Sequence, residues 1–137
     1  MPYVLGGILS SVVMNIKQSD TMNELMSRYQ TLREHLIETG EFPELHKECN
    51  IIGMDKISKE GVGYNVGKGY EIYICLAGDI NNIMHVFLHE LAHNTVSEYD
   101  HSSLFWIKLK KLKKIAEDIG IYEYTEVQPF CGGTIGD

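Results

Sequence analysis

His89, Glu90 and His93 are the residues whose types and spacing most readily do chemistry. Four positions separate the two histidines, so on a helix their side chains lie about 40° apart around the axis, one turn above the other, and both imidazoles can converge on one ion. Glu90 stands between them in sequence. The pattern is HExxH, in which two histidines bind zinc and the glutamate takes a proton from the water that the metal activates. Its neighbours Phe87, Leu88, Leu91 and Ala92 are apolar. Two histidines and a glutamate buried among them lose hydration, a cost that a bound cation offsets. The plainer alternative is an exposed helix end whose polar residues are simply wet.

A catalytic zinc needs a third protein ligand and an open fourth position. The polar stretch from Asn94 to Asp100 ends the helix and reverses the chain, which would return His101 to the ion. His101 is the favoured third ligand, with Glu98, Asp100 and Glu117 as carboxylate alternatives. His85 lies one turn before His89 on the same stripe and reads as a supporting or packed residue. His35 and His46 have no local pairing and read as surface residues. Three neutral ligands leave one Zn2+ its full charge, enough to bring the pKa of water from about 15.7 to about 7 and to polarise a carbonyl. Glu90 would then act as general base and pass the proton to a leaving amine. The reaction class is amide hydrolysis, because an acid/base residue beside the first ligand has no use in a purely structural metal site.

Three kinds of element must hold these residues in place. Thr21 and Glu24 have capping-box spacing, and Met22, Leu25, Met26, Tyr29, Leu32 and Leu36 recur at helical intervals until Gly40, which predicts an amphipathic helix with Arg28, Arg33, Glu34 and Glu38 on its wet side. Ile51 to Ser58 reads as a short strand. Gly63 to Leu76 reads as a hairpin turning at Gly67 to Gly69, with Tyr70, Ile72, Ile74 and Leu76 on one face and Glu71, Tyr73 and Cys75 on the other. A helix over about Asn81 to Val96 carries HExxH, and a second runs from about Ser102 to Ile119, stopped by Gly120. Pro129, Gly132 and Gly133 break up the tail. The order predicts an α+β domain: N-terminal helix, small antiparallel sheet with a hairpin, HExxH helix, C-terminal helix.

At 137 residues the chain has the length of one domain. We divide it into an apolar N-terminal arm, residues 1–18, and a single domain, residues 19–137. An apolar fraction of 44% with 23% charged residues describes a folded protein rather than a disordered one. A net charge of −7 opposes direct binding to nucleic acid or anionic lipid, since the long-range field repels phosphate. The local exception is Lys108, Lys110, Lys111, Lys113 and Lys114, which form either the solvated face of a helix or a docking stripe for an acidic partner. Tyr3 to Ile16 has no charge, yet it is shorter than the roughly 20 residues a spanning helix needs and lacks a basic leader. It reads as a packed or partner-bound arm, with a weak membrane anchor over residues 3–16 as the alternative. Cys49, Cys75 and Cys131 are odd in number and widely spaced, which suggests neither a disulfide framework nor a thiolate zinc site. They point to an intracellular, reducing location rather than secretion.

HELAH, the downstream His101 and the Phe105-Trp106 pair together resemble the WLM and SprT-like zinc metallopeptidases, the group containing the Spartan proteases, and most nearly the WLM-type metallopeptidases of large DNA viruses. The hairpin "GYNVGKGYEIYICL", the "GIY" of Gly120 to Tyr122 and the "CGGTI" of Cys131 to Ile135 extend the likeness from about Met22 to Ile135. The resemblance implies a zincin-like fold, His89, His93 and His101 as zinc ligands, Glu90 as catalytic base, and a protein or peptide substrate. It implies a location in the host cytoplasm or the virion. Two positions depart from the pattern. Asp100 stands where a Gly often precedes the third His, and Phe130 where a Tyr often precedes the terminal Cys-Gly, so an oxyanion donor would have to come from Tyr122, Tyr124 or a backbone N–H. A peptide can add as an extra strand along the sheet edge near Gly63 to Gly69. Two other functions are kept beside the peptidase. One is a structural, virion-associated protein on the same scaffold, contacting virion or capsid proteins through the arm or the Lys108 to Lys114 stripe. The other is a DNA-stimulated protease of DNA-protein crosslinks using that stripe.

Overall fold

In the computed structural model, which describes residues 5–55, 63–67, 71–97, 103–126 and 131 (side chains of the first helix from residue 20 onward), two helices pack on a three-stranded sheet and a third packs on the second of them. The order is α1 (Leu5–Thr39), a 3-10 turn (Pro43–Leu45), β1 (Asn50–Met54), β2 (Gly63–Val66), β3 (Glu71–Cys75), α2 (Ile80–His93) and α3 (Ser103–Asp118). This is the α+β arrangement that the sequence predicts.

Local chemistry sets the helix ends. Gly40, at φ 77°, takes the left-handed conformation that closes α1, and its N–H bonds Leu36 O at 2.9 Å. Asp79 caps α2 through its carboxylate, which accepts the Asn81 N–H at 3.0 Å. Gly120, at φ 80°, ends α3, and the Ile121 N–H reaches back to Ala116 O at 3.0 Å. The capping-box spacing at Thr21 and Glu24 does not mark a start, because α1 is already helical from Leu5. Once the preceding residues are helical, the N–H groups that such a box would cap are bonded within the helix.

The sheet order is β1-β3-β2. The hairpin β2-β3 is antiparallel as expected, whereas β1 runs parallel to β3, pairing Ile51 with Ile72 and Met54 with Cys75. The sheet is therefore mixed, not wholly antiparallel. β3 is inserted between the other two strands, and as the central strand it is the most buried, with Ile72, Ile74 and Cys75 fully enclosed. Glu71 and Tyr73 keep partial exposure on the other face, matching the alternation read from the sequence.

One core joins these elements. Leu25, Tyr29, Leu32 and Leu36 of α1 meet Ile83, Phe87 and Leu91 of α2 and Phe105, Leu109 and Leu112 of α3, all buried. Tyr29 packs edge-on against Phe87 with ring centroids 5.3 Å apart, and its hydroxyl accepts the Cys49 N–H at 2.9 Å. Two arginines assigned to the wet face instead clamp loops to α1: Arg28 Nη1 donates to Ile121 O and Arg33 Nε to His46 O, each at 2.8 Å. Phe42 has a left-handed backbone at φ 48° and lies under Lys108 and Lys111, whose Nζ atoms stand 5.5 and 5.4 Å from its ring centroid. Lys111 also pairs with Glu41, and Lys114 with Asp118. Much of the lysine stripe is thus engaged by the domain's own surface.

Cys75 and Cys131 form a disulfide across 56 positions, with Cα atoms 6.5 Å apart. This corrects the expectation of three unpaired cysteines and removes cysteine usage as an argument for a reducing compartment. Spacing could not reveal the pair, because only the return of the C-terminal segment to the end of β3 brings the two together. Cys49 is free and buried. Among the described residues, no helix is long and apolar enough to cross a membrane.

Candidate functional site

The second half of α2 lies between β2 and α3, and each neighbour contributes to the site. His89 and His93 sit one turn apart with Nε2 atoms separated by 3.2 Å. Two nitrogens bound at about 2.0–2.1 Å in a tetrahedral shell stand about 3.3 Å apart, so the pair fits a zinc ion as it is built. Phe105, the buried third residue of α3, walls the pair: its ring centroid is 5.1 Å from that of His89 and 4.3 Å from that of His93. Trp106 packs edge-on to Phe105 at 5.0 Å. The sequence pairs this Phe and Trp only by motif, whereas the structure gives Phe105 the task of fixing both imidazole planes.

Glu90 is 8% exposed on the β2 side of α2. Its Oε1 accepts the Asn65 side-chain N–H at 2.6 Å, and its backbone oxygen accepts from the same Nδ2 at 3.2 Å. Burial pushes the Glu90 carboxyl up to about 7, while the Asn65 bond acts in the opposite direction. In protein without a bound cation the neutral acid is therefore strongly favoured relative to a solvated glutamate. A nearby divalent charge would restore the carboxylate that a base requires. Sequence reading passed over Asn65. The available signal was an asparagine inside a strand, a residue type depleted there.

The structure thus brings His89 and His93 together, and it places Glu90 on the same turns of α2 against β2. His101, Glu98 and Asp100 lie outside the described residues, as do Phe130 and residues 132–137 of the terminal motif. Among the described residues no group of three metal-binding side chains assembles. Glu117 is not the third ligand. That residue is twelve positions after Phe105, about 18 Å along α3, and lines a polar groove of about 310 Å³ with Arg28, Asn81, Gly120, Tyr122 and Glu123. The same placement removes Tyr122 from the oxyanion candidates, since Asn81 marks the opposite end of α2. Tyr124 is 70% exposed. His85 is buried one turn before His89, and His35 and His46 are partly exposed, the latter with Nε2 2.8 Å from Glu41 O.

The WLM domain family matches residues 49–136, a span that includes the sheet, both histidines, Glu90 and Phe105. The chain belongs to the WLM domain family. A curated viral relative, the uncharacterized protein R325 of Acanthamoeba polyphaga mimivirus, is 38% identical over 85 residues, covering 54% of this chain. The chain spans only 43% of that relative's length. Among solved structures, Wss1 from Saccharomyces cerevisiae superposes with a TM-score of 0.59 at 23% identity, covering 74% of this chain and 80% of its own. A Wss1 mutant gives 0.58 at 22% identity over 76% and 86% of the two chains. The likeness to Wss1 extends to the fold alone. The 3.2 Å spacing of the two histidine nitrogens fits a bound metal ion.

Proposed function

We propose that this WLM domain is a zinc-dependent peptidase that hydrolyses peptide bonds of protein substrates. The observation that carries the reading is the convergence of His89 Nε2 and His93 Nε2 at 3.2 Å beside a buried carboxylate. His89 and His93 would hold the ion, with His101 as third ligand and Glu98 or Asp100 as alternatives. Zinc, when bound, supplies Lewis acidity toward water and the scissile carbonyl. Glu90 takes a proton from the attacking water as its oxygen bonds to the carbonyl carbon. The proton then passes to the amide nitrogen as the C–N bond breaks, so a free amine and a carboxylate leave. Phe105 keeps the imidazole planes fixed throughout and shields one side of the site from water. A peptide lies along β2, the edge strand, through main-chain hydrogen bonds that place its carbonyl without demanding a particular sequence.

The deciding experiment measures metal content and cleavage of an unfolded protein such as casein in the parent, His93→Ala and Glu90→Gln. The expected pattern is about one zinc per chain in the parent and in Glu90→Gln, none in His93→Ala, and cleavage lowered about 10²- to 10⁴-fold in Glu90→Gln. Cleavage by Glu90→Gln at the parental rate would remove the assigned mechanism. Stimulation by DNA that is lost with the lysines of α3 would favour the crosslink-protease alternative.

A further inference from the structure

We propose that Asn65 is a positioning residue for Glu90, holding one carboxylate oxygen from the edge strand so that the other is left to take the proton. This rests on the peptidase reading above. The first support is the doubled contact: a single Asn65 Nδ2 donates to both Oε1 and the backbone oxygen of Glu90, at 2.6 and 3.2 Å. The backbone oxygen of Glu90 can only accept, so the amide group is oriented with its nitrogen toward the helix. That orientation leaves Asn65 Oδ1 buried with no hydrogen-bond partner among the described residues.

The second support is the way β2 meets α2. Gly63 and Asn65 lie two residues apart on one face of the strand, a step of about 6.6 Å, and face Val86 and Glu90, four apart on the helix at about 6 Å, so the strand runs along the helix in register. A Cβ at Gly63 would overlap Val86 Cγ1, which shows how closely the backbone approaches there. The absent side chain at Gly63 is what lets the Asn65 amide reach Glu90. Because β2 is the edge of the β1-β3-β2 sheet, the strand that would receive a peptide is also the strand that fixes the base. Holding one oxygen limits rotation of the carboxylate about its terminal bond, which a lone buried glutamate would otherwise sample.

The test compares kcat and KM for casein-derived peptide cleavage, with zinc content, in the zinc-loaded full chain and in Asn65→Ala, Asn65→Gln and Gly63→Ala. Asn65→Ala should keep its zinc and its KM within about twofold while kcat falls about 10- to 100-fold, the range typical of residues that orient a metal site's groups. Asn65→Gln, which keeps an amide donor, should recover part of that loss. Gly63→Ala should reproduce the kcat loss with Asn65 intact. In the double variant Asn65→Ala/Glu90→Gln, the Asn65 change should cost nothing further, since its effect passes through the carboxylate. A parent that cleaves normally while Asn65→Ala retains full kcat, or loses only KM, overturns this proposal and leaves the peptidase reading standing. A zinc-loaded parent that cleaves nothing overturns both.

Discussion

The two ends of α2 present similar residue types and opposite physics. At the first turn, Asn81 Oδ1 accepts the Glu123 N–H at 3.2 Å, Arg28 bridges Glu24 and Ile121 O, and Glu117 is exposed. Asn81, Arg28 and Glu117 there each meet a partner or water. At the last turn, Glu90 is buried with Asn65 as its hydrogen-bonding side chain, and two imidazole nitrogens point at one another. Acidic residues at the first end are part of a wet structural corner. The acid at the second carries a desolvation cost that Asn65 offsets only in part and that a proton or a cation relieves. Charge and residue type do not separate the two; compensation does.

The contrast breaks most directly at the two glutamates. Glu90→Gln should lower cleavage by about 10²- to 10⁴-fold, the usual weight of a general base, with zinc retained. Glu117→Gln, read in the same assay, should leave kcat and zinc content unchanged. Comparable losses in both would mean that α3 bends its far end into the site and that the assignment of the groove as structural is wrong.

A second break tests the enclosure of the site. The Cys75–Cys131 bridge closes a loop spanning α2, residues 98–102 and α3, and hence every candidate ligand still in play. Chain entropy for a loop of 56 positions corresponds to about 4 kcal/mol. Cys131→Ser should therefore lower the denaturant midpoint of the zinc-loaded chain markedly and ease zinc loss to a chelator. Cys49→Ser, at a buried thiol outside that loop, should affect stability without this chelator sensitivity.

Much of this was legible in the sequence because it depends on local periodicity. HELAH needs only a helix to converge, and the alternation of Ile72 and Ile74 with Glu71 and Tyr73 places β3's faces without tertiary knowledge. What escaped depends on contacts between elements. Nothing near Asn65 in sequence indicates Glu90, 25 residues on, and nothing near Cys75 indicates Cys131. The parallel β1 follows from β3 entering between two earlier strands, a choice of order that strand patterns do not encode. Arg28 and Arg33 sat correctly on the outer side of α1, yet long side chains on such a face reach loops that the helix pattern cannot show.

The weakest expected effects lie at the structural end and set the scale for the rest. Arg28→Ala removes the bond to Ile121 O, a charge-assisted link between α1 and the segment after α3. Its cost should be about 1.5 kcal/mol in denaturant unfolding, with kcat unaltered, because the groove shares no group with His89, Glu90 or His93. Lys114→Ala breaks an exposed pair with Asp118 across one helical turn and should give no resolvable change in the thermal midpoint. Salt dependence separates the two variants further. The Arg28 contact is partly buried against a carbonyl and should persist in high salt, whereas any contribution from Lys114 should vanish there. If Arg28→Ala instead reduced cleavage without reducing stability, the groove would communicate with the metal end through α2. The division of the helix into a structural and a chemical end would then have to be abandoned.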